Sequence, residues 1–367
     1  MRVKPTSAAR TLGYIGLLTY AVLLGVLAVT GAMQAYYYEL DEWLNPQFYN
    51  MPTRGGAQHP ADLISALESQ IPGARVWYME QRKANGRSVM MAVEPAFNSA
   101  TQTYANLPHT YYYMDPVTAE IVGGRTWGAC CFEPENLMNF TYELHRTLML
   151  PSVWGLYITG GVAIIWCLGL VAAGAWALMR RQTTHTKWMA TTALMMTPLA
   201  LSSVAMNLND ELFRPVVNWF SPVKPTIYGE YATKGATDLG TRAMSYRDAY
   251  DNAITLGKEN GWATPPGELF YSGIYNFYGF GYGVRDPQGM GNDWAFISAD
   301  DGRLLRARTP REGTAGEIFT AAQLPIHSGR ILGGWSQFYV FAVGLLITYL
   351  CWRLGRYAIL GLRKKKP

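Results

Sequence analysis

Residues 142–151 read YELHRTLMLP. Tyr142, Glu143, His145 and Arg146 come first, and after Arg146 no charged residue follows until Arg180. A histidine therefore stands at the mouth of an apolar run long enough to cross a bilayer, which takes about 20 residues. The chain of 367 residues has five histidines. This one is either a polar helix end that happens to carry an imidazole or a functional group at the head of a span. The positions of the other histidines bear on the choice.

Only 16% of residues are charged and 49% are apolar, against about 25% charged in soluble domains. The net charge of +5 sits in short clusters beside apolar runs, without a lysine-rich face or nucleic-acid motif, so no nucleic-acid partner is expected. Four stretches lack charge for long enough to span: residues 11–38, 147–179, 188–209 and 331–352, the last continuing as helix to 355. The third contains Pro198, tolerable where neighbouring helices satisfy the freed backbone. The first is too long for a signal-peptide core and no A-x-A site follows it, so it reads as a retained helix. Arg2, Lys4 and Arg10 precede span one. Arg180, Arg181 and Lys187 fill the 180–187 loop, and Arg353, Arg356, Arg363, Lys364, Lys365 and Lys366 mark the tail through residue 367. Such excesses belong to cytoplasmic segments. The long polar segments, 39–146 and 210–330, then face the other side, the periplasm in a bacterium, with lipid around the spans.

The layout repeats as span, domain, span. "PADLISALESQIPGA" (60–74) sets Leu63, Ile64, Leu67 and Ile71 on one helical face, and "RVWYME", "SVMMAVEP" and "TYYYMDP" read as strands. "SYRDAYDNAITLGKENG" (245–261) supplies the second helix, followed by strand-like "ELFYSGIY", "FYGFGYGVRD" and "DWAFISADDGRLLRA". Each domain reads as a helix on a small antiparallel sheet. Cys167 and Cys351 lie in spans as packing residues. Cys130 and Cys131 are adjacent, and neighbouring cysteines join only under strain. No CxxC or CxxCH occurs, so neither a zinc ribbon nor covalent haem attachment is indicated.

The strand-terminal turns "DPVTAEIVGG" and "ADDGRLLRA" resemble the ending of a PepSY domain. "VTGAMQAYYYELDEWLNP", "YELHRTLMLP" and "LPIHSGRILGG" resemble the span boundaries of the PepSY-associated transmembrane family. The resemblance covers nearly the whole chain and extends in size and architecture to inner-membrane ferric-siderophore reductases of the FoxB type. It implies an α-helical membrane protein, a four-helix transmembrane bundle carrying two periplasmic α+β PepSY-like domains. PepSY domains also occur in protease inhibitors and sensors, so a non-enzymatic protein that binds a periplasmic peptide, protease or ligand is the alternative.

His327, in "IHSGRIL", stands before span four as His145, in "LHRTLML", stands before span two. Parallel repeats would bring both to one depth. Two imidazoles facing across a bundle suit the axial positions of a b-type haem iron, and Arg146 and Arg330 are placed for its anionic propionates. Met149, four residues past His145, would share its helix face and either pack on the ring or compete as ligand. His185, in "RRQTTHTKWMA", matches the region where the family places a second haem, but Leu12 stands where the partner histidine is expected. One haem is expected and a second is open. His59 and His109 read as surface residues. Tyr36, Tyr37 and Tyr38 read as an interfacial belt. The aromatic, glycine-rich run at 270–282 is either sheet packing or a platform for a bulky chelate.

Without a Ser-His-Asp set, HExxH or phosphate loop, hydrolysis is not expected. The resemblance implies reduction of a periplasmic ferric siderophore, of hydroxamate type, with quinol or a cytoplasmic flavoprotein as electron donor.

Overall fold

The computed structural model describes residues 7–52, 55–81, 86–180, 182–232 and 243–363. Of the orienting charges, Arg2, Lys4, Arg181, Lys364, Lys365 and Lys366 lie outside these residues. The first half runs α1 (Ser7–Gln34), α2 (Tyr37–Leu44), α3 (Pro46–Tyr49), α4 (Pro60–Gln70), β1 (Ala74–Gln81), β2 (Val89–Pro95), β3 (Phe97–Asn98), β4 (Thr103–Tyr104), β5 (Tyr111–Met114), β6 (Ile121–Arg125), α5 (Pro134–Thr147) and α6 (Ser152–Met179). The second runs α7 (Thr184–Asn207), a π-helical turn (Asn209–Phe213), α8 (Arg214–Asn218), α9 (Ile227–Ala232), α10 (Tyr246–Glu259), β7 (Pro266–Ser272), β8 (Phe277–Tyr282), β9 (Asp293–Ser298), β10 (Leu304–Arg308), α11 (Ala315–His327) and α12 (Gly334–Arg363).

Among the described residues, four helices are long and apolar enough to cross a membrane: Ala8–Gln34, Val153–Met179, Thr184–Asn207 and Gly334–Arg363. The second starts later than its apolar run. α5 stops at Thr147, Leu148 and Met149 take φ of 54° and 58°, and Pro151 caps α6. Proline cannot continue a helix from the preceding turn and turns the residue before it from the helical region. Met149 therefore does not share a helix face with His145, which corrects that expectation.

The fold divides into a helical unit (through residue 37, then 138–219 and from 322) and a sheet unit (38–137 and 220–321). In the sheet unit the two expected small sheets are one eight-stranded sheet, ordered β10-β9-β8-β7-β1-β2-β5-β6. The halves join edge to edge, with Tyr78 opposite Phe270, Met79 opposite Leu269 and Glu80 opposite Glu268. The physical reason is that two separate sheets would each leave an edge of unpaired backbone groups.

One face of the sheet is covered by α4 and α10, where Leu63, Ile64, Leu67, Ala249 and Ala253 pack on Met79, Met91, Leu269, Tyr278 and Phe280. On the other face Phe48 and Tyr49 pack on Tyr113, and Ile227 packs on Phe277 and Phe296. Every residue of β8 is buried. The aromatic run at 270–282 is thus largely sheet interior, and the open platform is not formed there. α2 is tied to β6 by Arg125, whose Nη1 and Nη2 donate to the Asp41 carboxylate at 2.8 and 2.7 Å with both side chains buried.

Candidate functional site: a buried histidine pair in the helical unit

α1 packs along α12, and α6 along α7. Small residues permit the close approach: a Cβ on Gly344 would come 2.9 Å from the Ala32 Cβ. The pairing has the symmetry of the repeat, since exchanging the halves carries α1 onto α7 and α6 onto α12.

His145 lies in the last turn of α5 and His327 ends α11. The fold brings them together with ring centroids 5.8 Å apart and ring planes at 37°. Each is held from behind by the opening span of its own half. Nδ1 of His145 donates to the Leu27 carbonyl at 2.9 Å and lies 3.3 Å from the Thr30 hydroxyl. That hydroxyl donates to the Val26 carbonyl at 2.7 Å, so it faces Nδ1 as an acceptor. Nδ1 of His327 lies 3.1 Å from the Ser202 hydroxyl, which donates to the Leu199 carbonyl at 3.0 Å. With its one proton on the Leu199 carbonyl, the Ser202 hydroxyl is placed to accept from His327. The Leu27 carbonyl can only accept, so His145 carries its proton on Nδ1 and keeps the Nε2 lone pair for a ligand, and the Ser202 hydroxyl accommodates the same tautomer at His327. Metal-binding histidines are held in this way, the second nitrogen donating to a carbonyl or hydroxyl that fixes the tautomer.

Gly31 completes the seat. A Cβ there would stand 2.8 Å from Cε1 of His145, so only glycine lets that ring lie against α1. Residue type alone does not single out Thr30, Gly31 or Ser202 as site residues. For Thr30 and Ser202 the signal is a short internal repeat, "LAVT" at 27–30 and "LALS" at 199–202, which places a hydroxyl at the same point of each opening span.

Metal–imidazole nitrogen bonds are about 2 Å long, so two rings sharing one metal have centres about 6 Å apart. The observed 5.8 Å fits a shared iron, and the donor set fits one that takes two axial nitrogens and its remaining ligands from a macrocycle. Among the described residues no group of three or more His, Cys, Asp or Glu is arranged around a bare ion.

The remaining expected residues fall as follows. Arg330 is buried at 9% exposure. Arg146 is half exposed, 3.9 Å from Glu143. His185 is exposed in the first turn of α7 and Leu12 is exposed on α1. His185 lies 17 residues before Ser202 on one helix, about 25 Å along its axis, so it does not join the pair. His59 caps α4, its Nδ1 accepting from the Ala61 amide at 3.1 Å. His109 packs on Tyr112. Tyr37 and Tyr38 donate to Asn139 and Asp286. The sulfurs of Cys130 and Cys131 lie against each other.

These features define a helical membrane protein of two like halves, with four apolar helices, an antiparallel sheet unit and a buried imidazole pair anchored by both halves. The sequence matches the profile of the PepSY-associated TM region over residues 13–353, and the chain belongs to that family. No curated protein matches it.

Proposed function

We propose that the chain is a bacterial inner-membrane electron-transfer protein in which His145 and His327 hold a b-type haem and a periplasmic ferric siderophore, hydroxamate in type, is reduced. The observation that supports this most is the pair itself: two rings 5.8 Å apart, each anchored at Nδ1 with Nε2 left for iron. When bound, the group takes up and passes on one electron, the change that converts one ferric ion to ferrous. His145 and His327 would hold its iron through their ring nitrogens. Leu27, Thr30 and Ser202 hold their Nδ1 atoms, and Gly31 makes room for one ring. Arg330 and Arg146 are the nearby cations for the propionates. Ferric iron is hard and hydroxamate oxygens hold it tightly; ferrous iron is softer and held less well, so reduction loosens the chelate. His185 stands outside this reading, because among the described residues no second imidazole faces it.

Purified protein is expected to show a low-spin haem spectrum that shifts on adding dithionite. His145→Ala and His327→Ala should each lose the same band and retain less haem, while His59→Ala keeps it. Membranes containing the wild type should reduce a ferric hydroxamate, read with a ferrous chelator. An unchanged spectrum in both histidine variants would return the ligand-binding or sensing reading to first place.

A further inference from the structure

The helix pairs α1/α12 and α6/α7 meet each other only loosely. Between them, within the spans, lies a partly open cleft of about 580 Å³. Tyr20 and Leu24 line it from α1, Trp166 and Gly169 from α6, and Met196 from α7, with no Asp, Glu, Lys, Arg or His on its walls. Gly16 and Gly169 leave the walls bare, since a Cβ on either would meet nothing within 4 Å. The cleft adjoins the histidine site: Leu24 lies one helical turn from Leu27, whose carbonyl holds His145.

We infer that this cleft is a quinol site, in which a neutral isoprenoid quinol enters sideways from the bilayer and supplies electrons to the His145–His327 centre. The inference rests on the haem reading of that pair. Walls without ionic groups suit a neutral, lipid-soluble occupant, and Trp166, Tyr20 and the bare glycines suit a flat ring with a polar edge. A donor in the cytoplasm is disfavoured by distance. From Ser7 to Leu27 is 20 residues of helix, about 30 Å, the full thickness of the apolar core. A quinol beside Leu24 is one turn, about 5 Å along the axis, from the level of Leu27. A second haem is disfavoured by the walls, which carry no imidazole; His185 is 11 residues from Met196, about 16 Å along α7. Oxidation of one quinol to quinone breaks two O–H bonds and releases two electrons and two protons. The electrons pass singly and reduce two ferric chelates to ferrous, and the two protons are released to water at the membrane surface.

The test uses the full chain in nanodiscs. A photoreactive azidoquinone is expected to label peptides containing Tyr20 and Trp166. Gly169→Leu and Gly16→Leu, which add bulk at positions where a Cβ would meet nothing within 4 Å, should each cut labelling about tenfold or more, while His145→Ala keeps it. On haem-loaded protein, a short-chain quinol should reduce the haem band, and Gly169→Leu should slow this about tenfold with dithionite reduction unchanged. Labelling that is absent, or unaffected by both glycine variants, assigns the cleft to acyl chains and overturns the proposal. Haem falling from two to one per chain in Gly169→Leu assigns it to a second haem and overturns it equally. Wild type without haem overturns the histidine reading alone, and the labelling result still decides the cleft.

Discussion

Thr30 and Ser202 occupy matching places but do unequal work. Nδ1 of His145 has two acceptors, the Leu27 carbonyl and Thr30. For His327 the Ser202 hydroxyl is the side-chain partner found among the described residues. Removing a partner that orients a metal-bound histidine typically costs about 10–100-fold in metal affinity. Ser202→Ala is therefore expected to weaken haem retention by about tenfold or more, and Thr30→Val to weaken it less, because the carbonyl still holds the ring. Haem per chain after gel filtration measures both. Equal losses would mean that the hydroxyls, not the carbonyl, carry the orientation. Gly31→Leu should act through space instead: its side chain would displace His145 from α1 and abolish the low-spin band while leaving the helices intact by circular dichroism.

Within the sheet unit, two buried polar contacts join elements that the chain separates widely. Asp41 on α2 and Arg125 on β6 form a bidentate pair with 0% and 3% side-chain exposure. Asp41→Ala leaves a buried guanidinium uncompensated and is expected to destabilise the unit by about 3–5 kcal/mol, read as a lowered unfolding midpoint. At the strand seam, Glu268 faces Glu80 and accepts from the Tyr78 hydroxyl at 2.8 Å. Burial pushes its pKa up to about 7, Tyr78 and Arg285 pull it down, and Glu80 adds to the rise. A folded pKa above the unfolded value means that the folded chain binds the extra proton. Its stabilising effect is complete below pH of about 4 and is lost as pH rises to about 7. Glu268→Gln should leave stability nearly unchanged at pH 4 but raise it at pH 8, by on the order of 3 kcal/mol. Thermal midpoints of the two proteins at both pH values test this, and a constant difference across pH would show that Glu268 does not titrate there.

For the molecule as a whole, what could be read from the sequence was what local pattern records. Hydropathy marked the four spans, periodicity marked α4 and α10, and position within the repeat paired His145 with His327. What could not be read depends on residues far apart in the chain. The β1–β7 seam joins Tyr78 to Phe270, and the anchoring of His327 by Ser202 bridges 125 residues. The break at Leu148 and Met149 was hidden because an uninterrupted apolar run masks a change of backbone conformation. The seam also bears on topology, independently of the positive charges. One hydrogen-bonded sheet draws strands from both long polar segments, and a bilayer cannot pass between paired strands whose backbone groups satisfy one another. Both segments must lie on the same side, so α6 and α7 must form an out-and-back pair. In a cysteine-free background, Ser99→Cys and Asp301→Cys should therefore react with a membrane-impermeant maleimide in intact spheroplasts, and Gln182→Cys only after lysis. Ser99 and Asp301 are exposed on hairpin turns of opposite halves, and Gln182 is exposed between α6 and α7. Labelling of Ser99→Cys and Asp301→Cys from opposite sides of the membrane could not coexist with a single sheet, and labelling of all three in intact cells would remove the α6–α7 crossing.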